Sequence, residues 1–133
     1  DKLAAAVKRV GLDISLESDV GSGGSCLSAG ERQLVAIARA TLSSAKVVVM
    51  DEPTASCDAT TDAHLQEVVR SVFFGRTTLC IAHRLNTILG YDRVLVMEAG
   101  LSVELDTPSA LLANPASRFS QMISKMHSSS NSK

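Results

Sequence analysis

Two short apolar runs constrain this chain more than any other feature. "AKVVVMDEP" (45–53) carries β-branched residues and a Met without a break, then stops at Asp51, Glu52 and a proline. "RTTLCIAHR" (76–84) follows the same pattern and stops at His83 and Arg84. Continuous apolar character over so short a run predicts a strand buried on both faces, as in a parallel sheet. Between the two runs, "TTDAHLQEVVRSVF" (60–73) spaces its apolar residues as a helix does. Strand–helix–strand alternation predicts an α/β fold, a mainly parallel sheet with flanking helices.

The rest of the chain fits that frame. Residues 1–10 read as a short amphipathic helix stopped by Gly11, and "LDISLESDVGSGGS" (12–25) reads as loop. From Leu27 to Leu42 a helix is expected, with Leu34, Ile37, Ala38 and Leu42 forming its buried stripe. "RVLVMEAG" (93–100) and "LSVELD" (101–106) read as two strands of a hairpin turning at Gly100. Thr107 caps a helix with Pro108 at its first position. A last helix is expected over 115–126, and the polar end, 128–133, reads as a disordered tail beyond an ordered part spanning 1–127. The sequence starts without Met and reads as a piece cut from something longer.

Composition excludes several classes. Aromatic residues make up 3%, Trp is absent and the net charge is −1, which leaves neither a stacking platform nor a basic footprint for nucleic acid. No apolar run approaches the ~18 residues that span a bilayer. Cys26, Cys57 and Cys80 are spaced for neither a zinc site nor a redox pair, and read as small buried hydrophobes.

In open α/β sheets ligands bind beyond the carboxyl ends of strands. Asp51 and Glu52 stand at one such end and His83 at another. One carboxylate can hold a hydrated Mg²⁺, a hard cation that prefers oxygen, while the other orients or deprotonates an attacking water. An ordinary solvated acidic strand end remains the alternative. His83 could donate to a terminal phosphate oxygen, or be a surface histidine. "CLSAGERQLVAIARA" (26–40) opens its helix with Ser28, Ala29 and Gly30. A helix start offers unpaired N–H groups to an anion, and a glycine admits close approach; a simple N-cap is the competing explanation. No Gly-rich loop ending in Lys-Ser or Lys-Thr occurs in the chain.

Together these pieces resemble the nucleotide-binding domain of ABC transporters. "LSAGERQ" looks like the family signature, "VVVMDEP" like Walker B with the catalytic Glu, "ASCD" (55–58) like the D-loop and "IAHR" (81–84) like the switch-histidine loop. The flanking sequence is similar to the second nucleotide-binding domain of the multidrug-resistance-associated branch, subfamily C. The resemblance implies the C-terminal half of a P-loop, RecA-like ATPase domain over residues 1–127, with Walker A and the Q-loop preceding it in the family. It implies ATP and Mg²⁺ as cofactors, Asp51 holding Mg²⁺ through water, Glu52 polarising the attacking water and His83 contacting the γ-phosphate. It further implies a second nucleotide-binding domain paired head to tail. Ser28, Gly30 and Glu31 would meet the ATP held by that partner, and Asp58 would link the two sites. Transmembrane domains of the same transporter would place this part at the cytoplasmic face of a membrane.

Three positions depart from the family pattern. Ala29 replaces the middle Gly, Ala55 stands where Ser is frequent, and Glu31 replaces Gln, setting a negative charge near a phosphate unless it points away or pairs with Arg32. Two rivals are a soluble ABC ATPase of repair or translation and a non-catalytic regulatory half-domain. Repair-type members reach the signature after a long coiled coil, whereas helix and loop precede it here; Glu52 and His83 oppose the second rival.

Overall fold

The computed structural model describes residues 1–51, 58–82 and 84–130. These fall into two compact units, 1–81 and 82–133.

The first unit is helical on one side and stranded on the other. It holds α1 (Lys2–Arg9), a single 3₁₀ turn (Ser22–Gly24), α2 (Ala29–Thr41), β1 (Val47–Asp51), α3 (Ala59–Val72) and β2 (Thr77–Ile81). Its core joins Ala6 and Val10 of the first helix region, Leu34, Ile37 and Ala38 of α2, and Leu65, Val68, Val69, Val72 and Phe73 around α3. The stripe foreseen on α2 is buried except at its end, where Leu42 is exposed. Arg9 donates to the Val72 carbonyl over 3.1 Å and so satisfies one of the acceptors that the end of α3 leaves open.

β1 and β2 pair in parallel, Val47 opposite Thr77 through to Asp51 opposite Ile81. The pairing direction matches the sequence expectation; burial does not. Val48 and Met50 pack against the helical core, while Val49 (65%) and Ile81 (56%) on the other face are exposed, as are Val47 and Leu79. Nothing among the described residues covers that face. Covering it would contribute on the order of 1 kcal/mol for each of these half-exposed side chains.

The second unit contains α4 (Leu85–Leu89), β3 (Val94–Glu98), β4 (Leu101–Asp106), α5 (Pro108–Ala113) and α6 (Arg118–Ser130). α4 is not among the elements expected from sequence, because five residues are too few for a helical period to emerge. β3 and β4 form an antiparallel hairpin. Its two turn residues, Ala99 and Gly100, have φ of 50° and 80°, the left-handed pair that matches strand twist in a two-residue loop. Thr107 caps α5 by accepting from the Ala110 N–H, with Pro108 at the first position as expected. α6 starts at Arg118 and runs to Ser130, so 128–130 continue a helix where a disordered tail was expected. No Gly or Pro follows Met126 to stop the helix, and the serines that follow are mediocre rather than prohibitive helix formers.

Glu104 of β4 fixes the start of α6. Its carboxylate accepts from Arg118 N–H at 2.7 Å, Phe119 N–H at 3.1 Å and the Ser117 hydroxyl at 3.0 Å. Desolvation pushes this carboxyl up, but the Phe119 and Arg118 N–H groups, the Ser117 hydroxyl and the Arg118 charge together hold it below its ordinary value. A depressed pKa contributes stability above the unfolded value, about 4.3 for Glu, that is lost as pH falls through the folded one. Glu104→Gln should therefore speed amide exchange in the first turn of α6 at neutral pH. The difference from wild type should narrow below about pH 4. Equal protection in both proteins at neutral pH would show that α6 does not depend on this carboxylate.

Candidate functional site

The site is built from helix starts and a strand end of the first unit. Ser28 is the N-cap of α2: its Oγ accepts from the Glu31 N–H at 3.2 Å, and the Glu31 carboxylate accepts from the Ser28 N–H at 2.8 Å. This is a reciprocal capping box, Ser-x-x-Glu. It accounts for Glu31, one of the three residues that depart from the family pattern. The carboxylate turns back on Ser28 instead of pairing with Arg32, and the Ser28 hydroxyl first, then its N–H, hold it below its ordinary value. Arg32 donates to the Leu27 carbonyl, and its side chain lies against Gly24, so the loop ahead of the helix is tied to the helix that follows.

With Ser28 and Glu31 satisfying each other, the N–H groups of Ala29 and Gly30 are left without an acceptor among the described residues. Two adjacent open N–H groups at the positive end of a thirteen-residue helix could receive an anion.

Asp58 caps α3 with its own carboxylate, and no reciprocal capping box forms there among the described residues. Its Oδ1 accepts from the N–H groups of Thr60 and Thr61, each at 3.0 Å, and its Oδ2 accepts from the Thr61 hydroxyl at 2.6 Å. The Thr61 hydroxyl, then the Thr61 N–H, hold this carboxyl below its ordinary value. Capping alone accounts for an acid at this position, and the carboxylate remains exposed.

The starts of α2 and α3 meet. A Cβ built on Gly30 would stand 2.7 Å from the Thr61 methyl, so Gly30 lies against the residue that Asp58 holds. The sequence pattern suggests a different reason for Gly30, room for an oxyanion, and Thr61 belongs to none of its motifs. The Asp58–Thr61 pair follows a local spacing, an acid N-cap with a hydroxyl three residues on, but its meeting with Gly30 does not.

Asp51 is exposed at the carboxyl end of β1, level with Ile81 at the end of β2. Among the described residues no group of three or more His, Cys, Asp or Glu could hold a metal ion by protein ligands alone. One exposed carboxylate does fit Mg²⁺, which keeps several waters and leans on substrate phosphates. Glu52 and His83 lie outside the described residues, as do Ala55 and Cys57. Cys26, expected to be buried, is exposed in the loop before α2, where backbone turns leave it no core to enter; Cys80 is half-buried.

Comparison with known proteins gives this arrangement a family. The family described as "ABC transporter" matches residues 1–55. The mouse protein "ATP-binding cassette sub-family C member 10" is 52% identical over 108 residues, covering 81% of this chain and 7% of that protein. "Multidrug resistance protein mrp-7" of Caenorhabditis elegans is 48% identical over 113 residues, 85% of this chain and 7% of that protein. The chain thus spans a small fraction of these relatives' length. Its fold is similar to the solved "Structure of a bacterial Atm1-family ABC exporter with ATP bound", with a TM-score of 0.80 and 31% identity over 94% of this chain and 23% of that one. With a partial ABC ATPase fold and identity of this order across most of its length, the chain belongs to the ABC transporter nucleotide-binding domains of the multidrug-resistance, subfamily C type.

Proposed function

We propose that this chain is the C-terminal part of the second nucleotide-binding domain of a subfamily C-like transporter, in which ATP hydrolysis drives a substrate across a membrane. The observation that carries the reading is the pair of open N–H groups at Ala29 and Gly30, set beside Asp58 at the meeting of two helix starts. In this reading a partner domain, paired head to tail, holds an ATP whose γ-phosphate meets the start of α2. Ser28 positions the helix start by capping it, and Glu31 is kept off the phosphate by the capping box. The exporter of similar fold is described with ATP bound, which supports the choice of nucleotide.

In the domain's own site, Asp51 would hold Mg²⁺ through water, an ion that screens phosphate charge when bound. Glu52 would accept a proton from the attacking water, and His83 would donate to the γ-phosphate. Phosphoryl transfer asks a protein mainly for positioning and charge stabilisation, which these groups supply at strand ends. The exposed apolar face of β1 and β2 is what a partial domain would present to a further layer packed on its sheet. Among the described residues no helix is long and apolar enough to cross a membrane. As the resemblance to this transporter type implies, transmembrane domains of the same transporter would carry the transport path, with this part at their cytoplasmic face.

Comparing the full-length parent with the isolated chain tests the reading. The parent should hydrolyse Mg-ATP, and the 133-residue chain should not, because it holds no Gly-rich loop ending in Lys-Ser or Lys-Thr to anchor phosphates. A parent without ATPase activity would remove the transport reading. Glu52-dependent turnover by the chain alone would put phosphate binding inside residues 1–133.

A further inference from the structure

Thr61 belongs to none of the sequence motifs, yet it touches two of them. Its hydroxyl donates to Asp58 Oδ2 over 2.6 Å, and its N–H donates to Asp58 Oδ1 over 3.0 Å. With the hydroxyl fixed there, the side chain is held in one rotamer and its methyl faces the first turn of α2. A side chain on Gly30 would begin 2.7 Å from that methyl, inside any real carbon–carbon contact. The threonine therefore binds the acid with one branch and seats the glycine with the other.

We propose that Thr61 is a positioning residue for the nucleotide site in trans: it joins the start of α2 and Asp58 into one unit. The N–H groups of Ala29 and Gly30 and the Asp58 carboxylate then hold a fixed spacing as two domains close on ATP. The inference rests on the reading of α2 as the part that faces a partner's nucleotide. It also gives Gly30 a second reason to be glycine, and the two reasons can be separated. If the phosphate demands the glycine, nothing done at Thr61 will make a larger residue acceptable. If Thr61 demands it, removing the threonine methyl will.

The experiment is a swap in the full-length parent, reading kcat and KM for Mg-ATP. Gly30→Ala alone should lower kcat about tenfold or more, as overpacking between two helices displaces those N–H groups. Thr61→Ser keeps the hydroxyl on Asp58 and only opens space, and should stay within about threefold of wild type. The double variant, with the new methyl at 30 occupying the room vacated at 61, should recover to within about threefold as well. Thr61→Val, which keeps the shape and loses the hydrogen bond, should lower kcat about fivefold or more. It should leave unchanged the labelling of the domain's own site by a photoreactive ATP analogue, which a merely misfolded variant would lose.

A Gly30→Ala defect that Thr61→Ser does not relieve overturns the proposal and leaves the phosphate as the reason for the glycine. A harmless Gly30→Ala overturns it too. Should Gly30→Ala prevent folding, a Thr61→Val protein with wild-type kcat and KM is the result that rejects it. None of these outcomes bears on whether α2 acts in trans; labelling each domain of a Ser28→Arg parent with a photoreactive ATP analogue decides that separately.

Discussion

Glu52→Gln in the full-length parent is expected to leave ATP binding near its wild-type level while slowing hydrolysis about a hundredfold or more, the usual contribution of a positioned general base. The argument begins with β1. Its apolar residues end at Asp51, and the next residue in the chain is the second carboxylate. Two adjacent acids after a strand need not serve the same atom, because successive side chains leave the strand on opposite faces. The amide of Gln keeps the shape and one acceptor of Glu, so contacts that recognise bound nucleotide persist. It cannot accept a proton, so the step that activates water is lost. Nucleotide trapping measured beside steady-state turnover separates the two effects. Trapped ATP with turnover near background is the expected result. Near-normal turnover would move the base to another residue, and loss of trapping would mean that Glu52 supports binding rather than chemistry. Asp51→Asn should behave differently, weakening the metal-dependent part of binding itself, since its proposed role is to hold Mg²⁺ through water.

How much of this was legible in the sequence depends on what each residue answers to. The parallel pairing of β1 and β2 was readable because β-branched runs separated by a helix leave few other arrangements. Their burial was not, because it depends on what covers a sheet. Val49 and Ile81 have the composition of a strand covered on both faces, and the described residues cover only the face carrying Val48 and Met50. The apolar pattern thus reports the environment for which the sequence is suited, and the exposed face shows which part of that environment lies outside these residues. Residues 128–130 illustrate the opposite failure. Polar composition read as disorder, but backbone hydrogen bonding carries a helix through serines when nothing stops it.

At the site, the motifs were legible and their internal wiring was only partly so. The position of Ser28 as a helix cap followed from residue type. Glu31 was read as a charge problem, although Ser-x-x-Glu is itself a signature of a reciprocal cap. Local hydrogen bonds of this kind span three residues and can be found by spacing alone. The contact between Gly30 and Thr61 spans thirty-one positions and joins two helices, so no local pattern contains it. It follows from how α2 and α3 cross, which the core residues Leu34, Ile37, Leu65 and Val69 decide.

Ser28→Arg in the parent should abolish hydrolysis of the nucleotide held by the partner domain while sparing nucleotide binding at the site to which Asp51 and Glu52 belong. Ser28 stands at the start of α2, next to the only open N–H groups of that helix among the described residues. A long cation there would fill the space in which a phosphate held in trans must sit. It would also remove the cap, which costs about 1 kcal/mol of helix stability. Ser28→Asn is the control for that second effect, because Asn caps as well as Ser without adding charge or much length. Hydrolysis alone is a poor readout, since both sites fall silent if the two domains cannot close. Labelling each domain separately with a photoreactive ATP analogue resolves the ambiguity. Label on this chain's own domain should persist in Ser28→Arg, because its phosphate loop is untouched, while turnover at the partner's nucleotide is lost; Ser28→Asn should retain both. If label disappears from this domain and remains on the partner, α2 acts on its own domain's nucleotide. The open N–H groups of Ala29 and Gly30 would then have to be reassigned to a phosphate held in cis.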